Sequence, residues 1–284
     1  MARVAVVTDS SAIFENPHFP RDYHVSVVPN TVQIDGHTYL DGIEINEDDV
    51  LQRQRHSGVQ VRVAGASVSQ FEDIYNELTK NTNQIVVLVH SSKLSKAYAN
   101  AQTARGGLLG RTDIIVIDSH TSSAALGYLV EEVALAADAG TSLDDLVRIA
   151  RSTIQRLYTV YYVSNLDAIT RAGLIGLTQS IVGRMLEIKP LLTIEDGALI
   201  TMEKARTHSQ AIEKMIEFVT EFTDISKLAI TQYTQRITDE TRMLQDRLAL
   251  EFGHMNYPIL LYDALMASYL GPDATGMVVL EGED

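Results

Sequence analysis

Along the first half of the chain, short runs of β-branched residues alternate with segments whose apolar positions recur every three or four residues. That alternation is the pattern of a mostly parallel sheet flanked by helices. The runs predict strands over 4–7, 24–28, 84–90 and 113–118. Between them, Ser69 and Glu72 have capping-box spacing and predict a helix over 70–81, with Phe71, Tyr75 and Leu78 on one face. Further helices are predicted from Ser95, over 121–139, and from Ser142, whose cap Asp145 completes, to about 157. Residues 31–40 interrupt the alternation as a hairpin about Asp35-Gly36, a dipeptide that tolerates the positive φ of a tight turn.

The second half has a different rhythm. A strand near 159–163 leads into an apolar helix over 177–188, and then into a hairpin over 189–200 about Asp196-Gly197. Helices over 207–222 and 237–251 alternate with strands over 227–232, 258–262 and 277–280. The change of rhythm puts a boundary near 160, so the expected architecture is α/β with two lobes, 1–160 and 161–284. No repeat or low-complexity linker marks the join, and the short loops predict lobes in close contact.

Charge and composition narrow the function classes. The 284 residues carry 37 acidic and 23 basic side chains, a net charge of −14. The excess is shared, with 19 acidic against 13 basic residues over 1–160 and 18 against 10 over 161–284. No basic footprint is hidden under the total, which argues against nucleic-acid binding. The chain has no cysteine, which removes disulfides, thiolate metal sites and cysteine nucleophiles. The start, Met1-Ala2-Arg3-Val4-Ala5-Val6-Val7, reads as a first strand and not as a signal peptide. Apolar runs such as Ile85-Val86-Val87-Leu88-Val89 are far shorter than the ~20 residues of a membrane helix. A soluble, cytoplasmic protein with no membrane insertion is expected.

Four segments are candidates for chemistry. Thr8-Asp9-Ser10-Ser11 follows the first strand, where parallel strands open toward a ligand crevice; alternatively Asp9 or Ser10 caps a turn. Ser91-Ser92-Lys93-Leu94-Ser95 lies between a buried strand and a helix, an anion-binding corner or a simple cap. Asp118-Ser119-His120-Thr121-Ser122-Ser123 holds aspartate, serine and histidine, but triad members converge from separate elements, so a triad inside it is not expected. In Arg171-Ala172-Gly173-Leu174-Ile175-Gly176 the arginine either grips an oxyanion or is solvated after a helix end. The histidines at 18, 24, 37, 56, 90, 120, 208 and 254 contain no i, i+4 pair, and there is no phosphate-binding glycine motif. The carboxylates Glu47-Asp48-Asp49 read as the acidic first turn of a helix. No metal and no cofactor are expected.

Taken in order, these segments resemble the DegV family of fatty-acid-binding proteins. The resemblance rests on Thr8-Asp9-Ser10-Ser11, Val28-Pro29, Asp35-Gly36, Asp41-Gly42, Ser91 to Ser95, Ile117-Asp118-Ser119, Leu166-Asp167 through Arg171 and Ile175-Gly176. It continues through Ile188-Lys189-Pro190, Asp196-Gly197, Lys204-Ala205-Arg206-Thr207 and Gly271-Pro272. It implies two α/β lobes with one long-chain fatty acid between them, and a carrier that presents the lipid carboxylate to an ATP-dependent fatty acid kinase. It maps the family's head-group serine to Ser95 and its arginine to Arg171. Other positions depart from the family: Val63-Ala64-Gly65-Ala66-Ser67 lacks the family's threonine, Lys96-Ala97 replaces Gly-Thr, Tyr269 stands for its histidine, Asp273 for a glycine, and Leu174 for a second arginine.

The expected ligand-binding residues are therefore Ser95, Ser92, Tyr269, Arg171 and Ser10, with Ile181, Val182, Met185 and Leu186 lining either a tail pocket or ordinary core. About 14 methylenes at ~0.8 kcal/mol each give on the order of 11 kcal/mol on burial, enough to bind a tail before ordering costs. Two other readings stand beside the carrier: an enzyme acting on a phosphorylated or carboxylated metabolite through Asp9, Ser92 and Asp118, and a lipid sensor uncoupled from a kinase.

Overall fold

The computed structural model describes residues 3–55, 59–253 and 257–283. Met1, Ala2, His56 and His254 of the sequence survey lie outside them. The first sheet is parallel and has four strands in the order β2-β1-β6-β7. They are β1 (Ala5–Asp9), β2 (Val25–Val28), β6 (Gln84–Val89) and β7 (Asp113–Asp118). Side chains alternate across it. Val6, Val86, Leu88 and Ile117 pack on α5 (Ser123–Asp138) and α6 (Leu143–Gln155). Val7, Ile85, Val87 and Val89 pack on α3 (Val68–Leu78) and α4 (Ala97–Ala104) through Phe71, Tyr75, Ala97 and Ala101. A sheet covered on both faces needs strands apolar at every position, which is why these runs do not alternate with polar residues.

After Arg156 the chain enters a six-stranded mixed sheet, β10-β9-β8-β13-β11-β12. Its strands are β8 (Leu157–Val163), β9 (Lys189–Glu195), β10 (Ala198–Ala205), β11 (Ile225–Gln232), β12 (Ile259–Leu261) and β13 (Ala274–Glu281). One face packs on α9 (His208–Thr220) and α10 (Asp239–Phe252). The other face is shared. Ala229, Val278 and Leu280 meet Ala124, Ala125 and Tyr128 of α5, whose Leu126, Leu129, Val130 and Val133 belong to the first sheet's core. A helix clamped between two sheets must be apolar nearly all round, as α5 is.

A third, antiparallel sheet, β4-β3-β5, comprises β3 (Thr31–Ile34), β4 (His37–Leu40) and β5 (Val61–Ala64). Although it comes from the first half of the sequence, it packs with α2 (Glu47–Gln54) on α7 (Leu166–Arg171) and α11 (Ala264–Leu270) of the second half. Gln54 Nε2 donates 2.8 Å to the Ala267 carbonyl inside this contact. A short α1 (Phe19–Asp22) precedes β2.

The expected elements are present, with four differences. The cap of α3 is Ser67, whose Oγ accepts from Gln70 N while Gln70 Oε1 accepts from Ser67 N; this pair has the same spacing as Ser69 and Glu72 but starts the helix two residues earlier. Helix α4 begins at Ala97, two residues after Ser95. β10 runs on to Ala205 through a bulge at Thr201 and Glu203. The apolar helix, α8 (Leu177–Met185), turns Ser180 and Gly183 inward. It leaves Leu177, Ile181, Val182, Met185 and Leu186 exposed, so these side chains line neither an interior pocket nor the core.

Candidate functional site

Three parallel strands end on one edge. Thr8 lies beside Leu88, and Val89 beside Asp118, so Asp9, His90 and Asp118 emerge together where β1, β6 and β7 stop. Open α/β sheets place ligands at this edge. Facing it from the second sheet are the β9–β10 turn and Asp263, which caps α11 through Leu265 N and Met266 N at 2.7 and 3.1 Å.

Asp9 is fully buried, and each of its oxygens is satisfied. Oδ1 accepts from Ser11 N (2.9 Å) and Asn30 Nδ2 (3.0 Å) and meets His90 Nδ1 at 2.9 Å; Oδ2 accepts from His90 N at 2.8 Å. A buried carboxylate persists only with such pairing. Burial pushes the Asp9 carboxyl up, but His90 and the N–H donors outweigh it and hold it at about 2. Burial lowers His90, and the neighbouring carboxylates of Asp9, Asp263 and Asp118 reverse that and raise it. Asn30 extends the cluster, donating to Ser11 Oγ at 2.9 Å and accepting from Ala66 N at 2.9 Å.

The far nitrogen of His90, Nε2, is hydrogen-bonded to Ser95 Oγ, which also accepts from Ala97 N at 3.1 Å. Ser95, His90 and Asp9 thus have the connectivity of a serine–histidine–aspartate triad, drawn from the end of β1 and from the loop between β6 and α4. Gly65 lies against Ser95 so closely that a Cβ there would collide with its hydroxyl and with the Ala97 backbone. Beside the triad, Asp41 accepts 2.6 Å from Ser10 Oγ. Burial lifts Asp41 to about 7, with Ser10 opposing and Asp263, Glu47 and Asp9 adding to the rise. Burial likewise lifts Asp263 to about 7 against its backbone donors and His90.

The residues expected from sequence are placed as follows. Ser95 is half-buried at the centre of the network. Tyr269 is half-buried, and its hydroxyl donates 2.8 Å to the Leu94 carbonyl, next to Ser95. Ser10 is half-buried, accepting from Asn30 N at 2.9 Å as it donates to Asp41. Ser92 is exposed, and its contact is the backbone N–H bonded to Asp118. Arg171 is exposed at the end of α7, on the wall of a cavity of about 540 Å³ that Gln60, Val63 and Tyr269 also line. The segment 118–123 forms no triad: His120 is exposed, and its ring nitrogen lies 3.8 Å from Asp118. The sequence reading missed His90, Asn30, Asp41 and Asp263. The local signal for His90 was only its place directly after a buried apolar run; the pairing of β1 with β6 that brings it to Asp9 is tertiary.

Among the described residues no group of three or more histidines and carboxylates is placed to hold a metal, and no helix is long and apolar enough to cross a membrane.

Comparison with known proteins agrees with this architecture over its whole length. A DegV domain-containing protein of Caldanaerobacter subterraneus subsp. tengcongensis is 34% identical over 220 residues, 77% of each chain. One from Halalkalibacterium halodurans is 27% identical over 279 residues, 98% of each. The fold matches the fatty-acid-binding DegV family protein of Streptococcus agalactiae with a TM-score of 0.87 at 24% identity, covering 100% of both chains. It matches the DegV family protein of Thermus thermophilus, described for fatty acid binding, with a TM-score of 0.84 at 24% identity, over 99% of this chain and 100% of that one. The DegV family model covers residues 3–282, and with that span and those relatives the chain belongs to the DegV family.

Proposed function

We propose that this protein binds a single fatty acid, with the acyl chain between the lobes 1–160 and 161–284 and the carboxylate at Ser95. It acts as a carrier that presents the carboxylate to a partner kinase. The observation that carries the reading is Ser95 itself, a half-buried hydroxyl fixed by His90 and Ala97 N and set next to Leu94, whose side chain enters the apolar cluster between the third sheet and the second lobe. That junction offers a polar end and an apolar body, which a fatty acid requires. Tyr269, on the wall of the adjoining cavity, and Arg171 are the further head-group candidates. The solved relatives from Streptococcus agalactiae and Thermus thermophilus, described as fatty-acid-binding, support the ligand class. The kinase rests on the family resemblance of the Ser91 to Ser95 and Arg171 segments.

Native mass spectrometry before and after delipidation tests the reading. A mass increment of one fatty acid, lost on delipidation and regained with added hexadecanoate, is expected; an unchanged apo mass overturns it. Ser95→Ala is expected to weaken retention without unfolding the chain. For the kinase step, hydroxylamine trapping is expected to yield an acyl hydroxamate from loaded protein, ATP and host extract, but not when the extract is omitted.

A further inference from the structure

The Asp9–His90–Ser95 chain has the connectivity of a hydrolase triad, so the direction in which its protons point decides what Ser95 does. Ser95 Oγ has two lone pairs and one proton. Ala97 N–H at 3.1 Å occupies one lone pair and can only donate. Nδ1 of His90 faces Asp9 Oδ1 at 2.9 Å and carries a proton in either charge state of the ring. Nε2 is therefore the variable atom. In a neutral ring it accepts the Ser95 proton and primes Oγ as a nucleophile. In an imidazolium it donates to the second lone pair, and the hydroxyl proton is left free to point at a ligand.

We infer that His90 is a positioning residue, held as an imidazolium by Asp9, and that it turns Ser95 into an obligate hydrogen-bond donor selecting an anionic head group. This inference rests on the lipid reading above and identifies what sets head-group selectivity in it.

The surroundings of the ring agree. Against the burial that disfavours it, the charged ring is favoured by Asp9 from β1, by Asp118 at the end of β7 and, in its ionised form, by Asp263 at the N-terminus of α11. Ser11 Oγ, 3.2 Å from Nδ1, is itself supplied with a proton by Asn30 Nδ2 at 2.9 Å. The pair is fully buried, which excludes the water that would otherwise compete for these protons. Lys93 and Lys96, from the same loop, are exposed and outside the network. In hydrolases the same three residue types take a proton from serine, because the ring starts neutral. Here the ring already holds both protons and cannot act as that base.

The test uses the full chain, delipidated, and two probes with the same tail, hexadecanoate and hexadecan-1-ol. The wild type is expected to prefer the acid at least tenfold at pH 6.5, and the preference is expected to decline as His90 titrates at higher pH. Asp9→Asn withdraws the carboxylate that holds the charge; it is expected to lose the preference at pH 7 and regain it near pH 5. Should that variant fail to fold, the wild-type ring gives the answer directly. ¹⁵N-resolved NMR is expected to show both His90 nitrogens protonated at pH 7, and a neutral ring overturns the inference. A fluorophosphonate adduct on Ser95 at pH 7 also overturns it, since it requires a primed nucleophile. Equal, pH-independent binding of both probes overturns the inference and leaves the lipid reading intact; binding of neither overturns both.

Discussion

Ser91 Oγ donates a 2.7 Å hydrogen bond to the carbonyl of Gly197, tying the segment that leads to Ser95 to the β9–β10 turn of the other sheet. Gly197 adopts φ +82°, and a Cβ there would meet the Ser91 hydroxyl and the His120 backbone. Gly197→Ala therefore combines left-handed backbone strain of about 1–2 kcal/mol with disruption of a contact between the sheets. A fall in melting temperature of several degrees is expected by differential scanning calorimetry, at roughly 2–4 °C per kcal/mol. An unchanged transition would show that the turn is free of Ser91.

The orientation of α8 makes opposite predictions for two neighbouring residues. A side chain at Gly183 would press on Leu166 Cδ1 at 2.8 Å, whereas Met185 is 79% exposed. Gly183→Val is expected to destabilise by about 1–3 kcal/mol, and Met185→Gln to stay within about 0.5 kcal/mol, in urea titrations. Equal losses would mean that Met185 is buried.

Asp41 and Asp263 give the stability a definite pH slope. Burial holds both at about 7 in the folded protein, against 3.8 as the ordinary value. The folded state thus binds more protons than the unfolded one between about pH 4 and 7, so stability falls as pH rises through that window and levels off above it. The drop is on the order of a few kcal/mol and is shared by a coupled pair. Asp263→Asn keeps the cap oxygen and is expected to flatten the slope between pH 5 and 8. A stability that rises over this interval in the wild type contradicts the assignment.

The Asp9–His90 pair acts at the acid end. With Asp9 held at about 2 in the folded state and near 3.8 unfolded, its contribution is present above pH 4 and is lost as pH falls from about 4 to 2. Asp9→Asn is expected to lower stability at neutral pH by removing one partner of a buried pair, about 3–5 kcal/mol, and to lose little more on acidification to pH 3. Circular dichroism melts at pH 7 and pH 3 measure both changes.

Local sequence signals located most of the framework and one member, Ser95, of the hydrogen-bond network around His90. Asp35-Gly36 and Asp196-Gly197 adopt positive φ at both positions of their turns, as the dipeptides demand. The covered parallel strands were visible because burial on two faces forces uninterrupted apolar runs. β5 and α11 were not visible. Val61–Ala64 is four residues long with an arginine inside it, and its strand character comes from pairing with β3. α11, seven residues long, gives little room for periodicity. α8 was legible as a helix but not in its orientation, because its apolar residues resemble core and only packing on Leu166 shows which face turns inward.

The site divides in the same way. Ser95 could be read from a polar segment between a strand and a helix, since strand ends and helix starts are local properties. His90 could not, because its role requires Asp9 from a strand 81 positions away, Ser95 on its other nitrogen and Asp263 from the opposite lobe. The sequence by itself determined the alternation of elements, the two turns, the absence of thiol chemistry and the acidic exterior, all set by residue type and short-range spacing. Only the tertiary structure decided the pairing of His90 with Asp9 and Ser95 and the raised acids Asp41 and Asp263. Those depend on burial and on fields between groups far apart in the chain, where loss of water makes each nearby charge count.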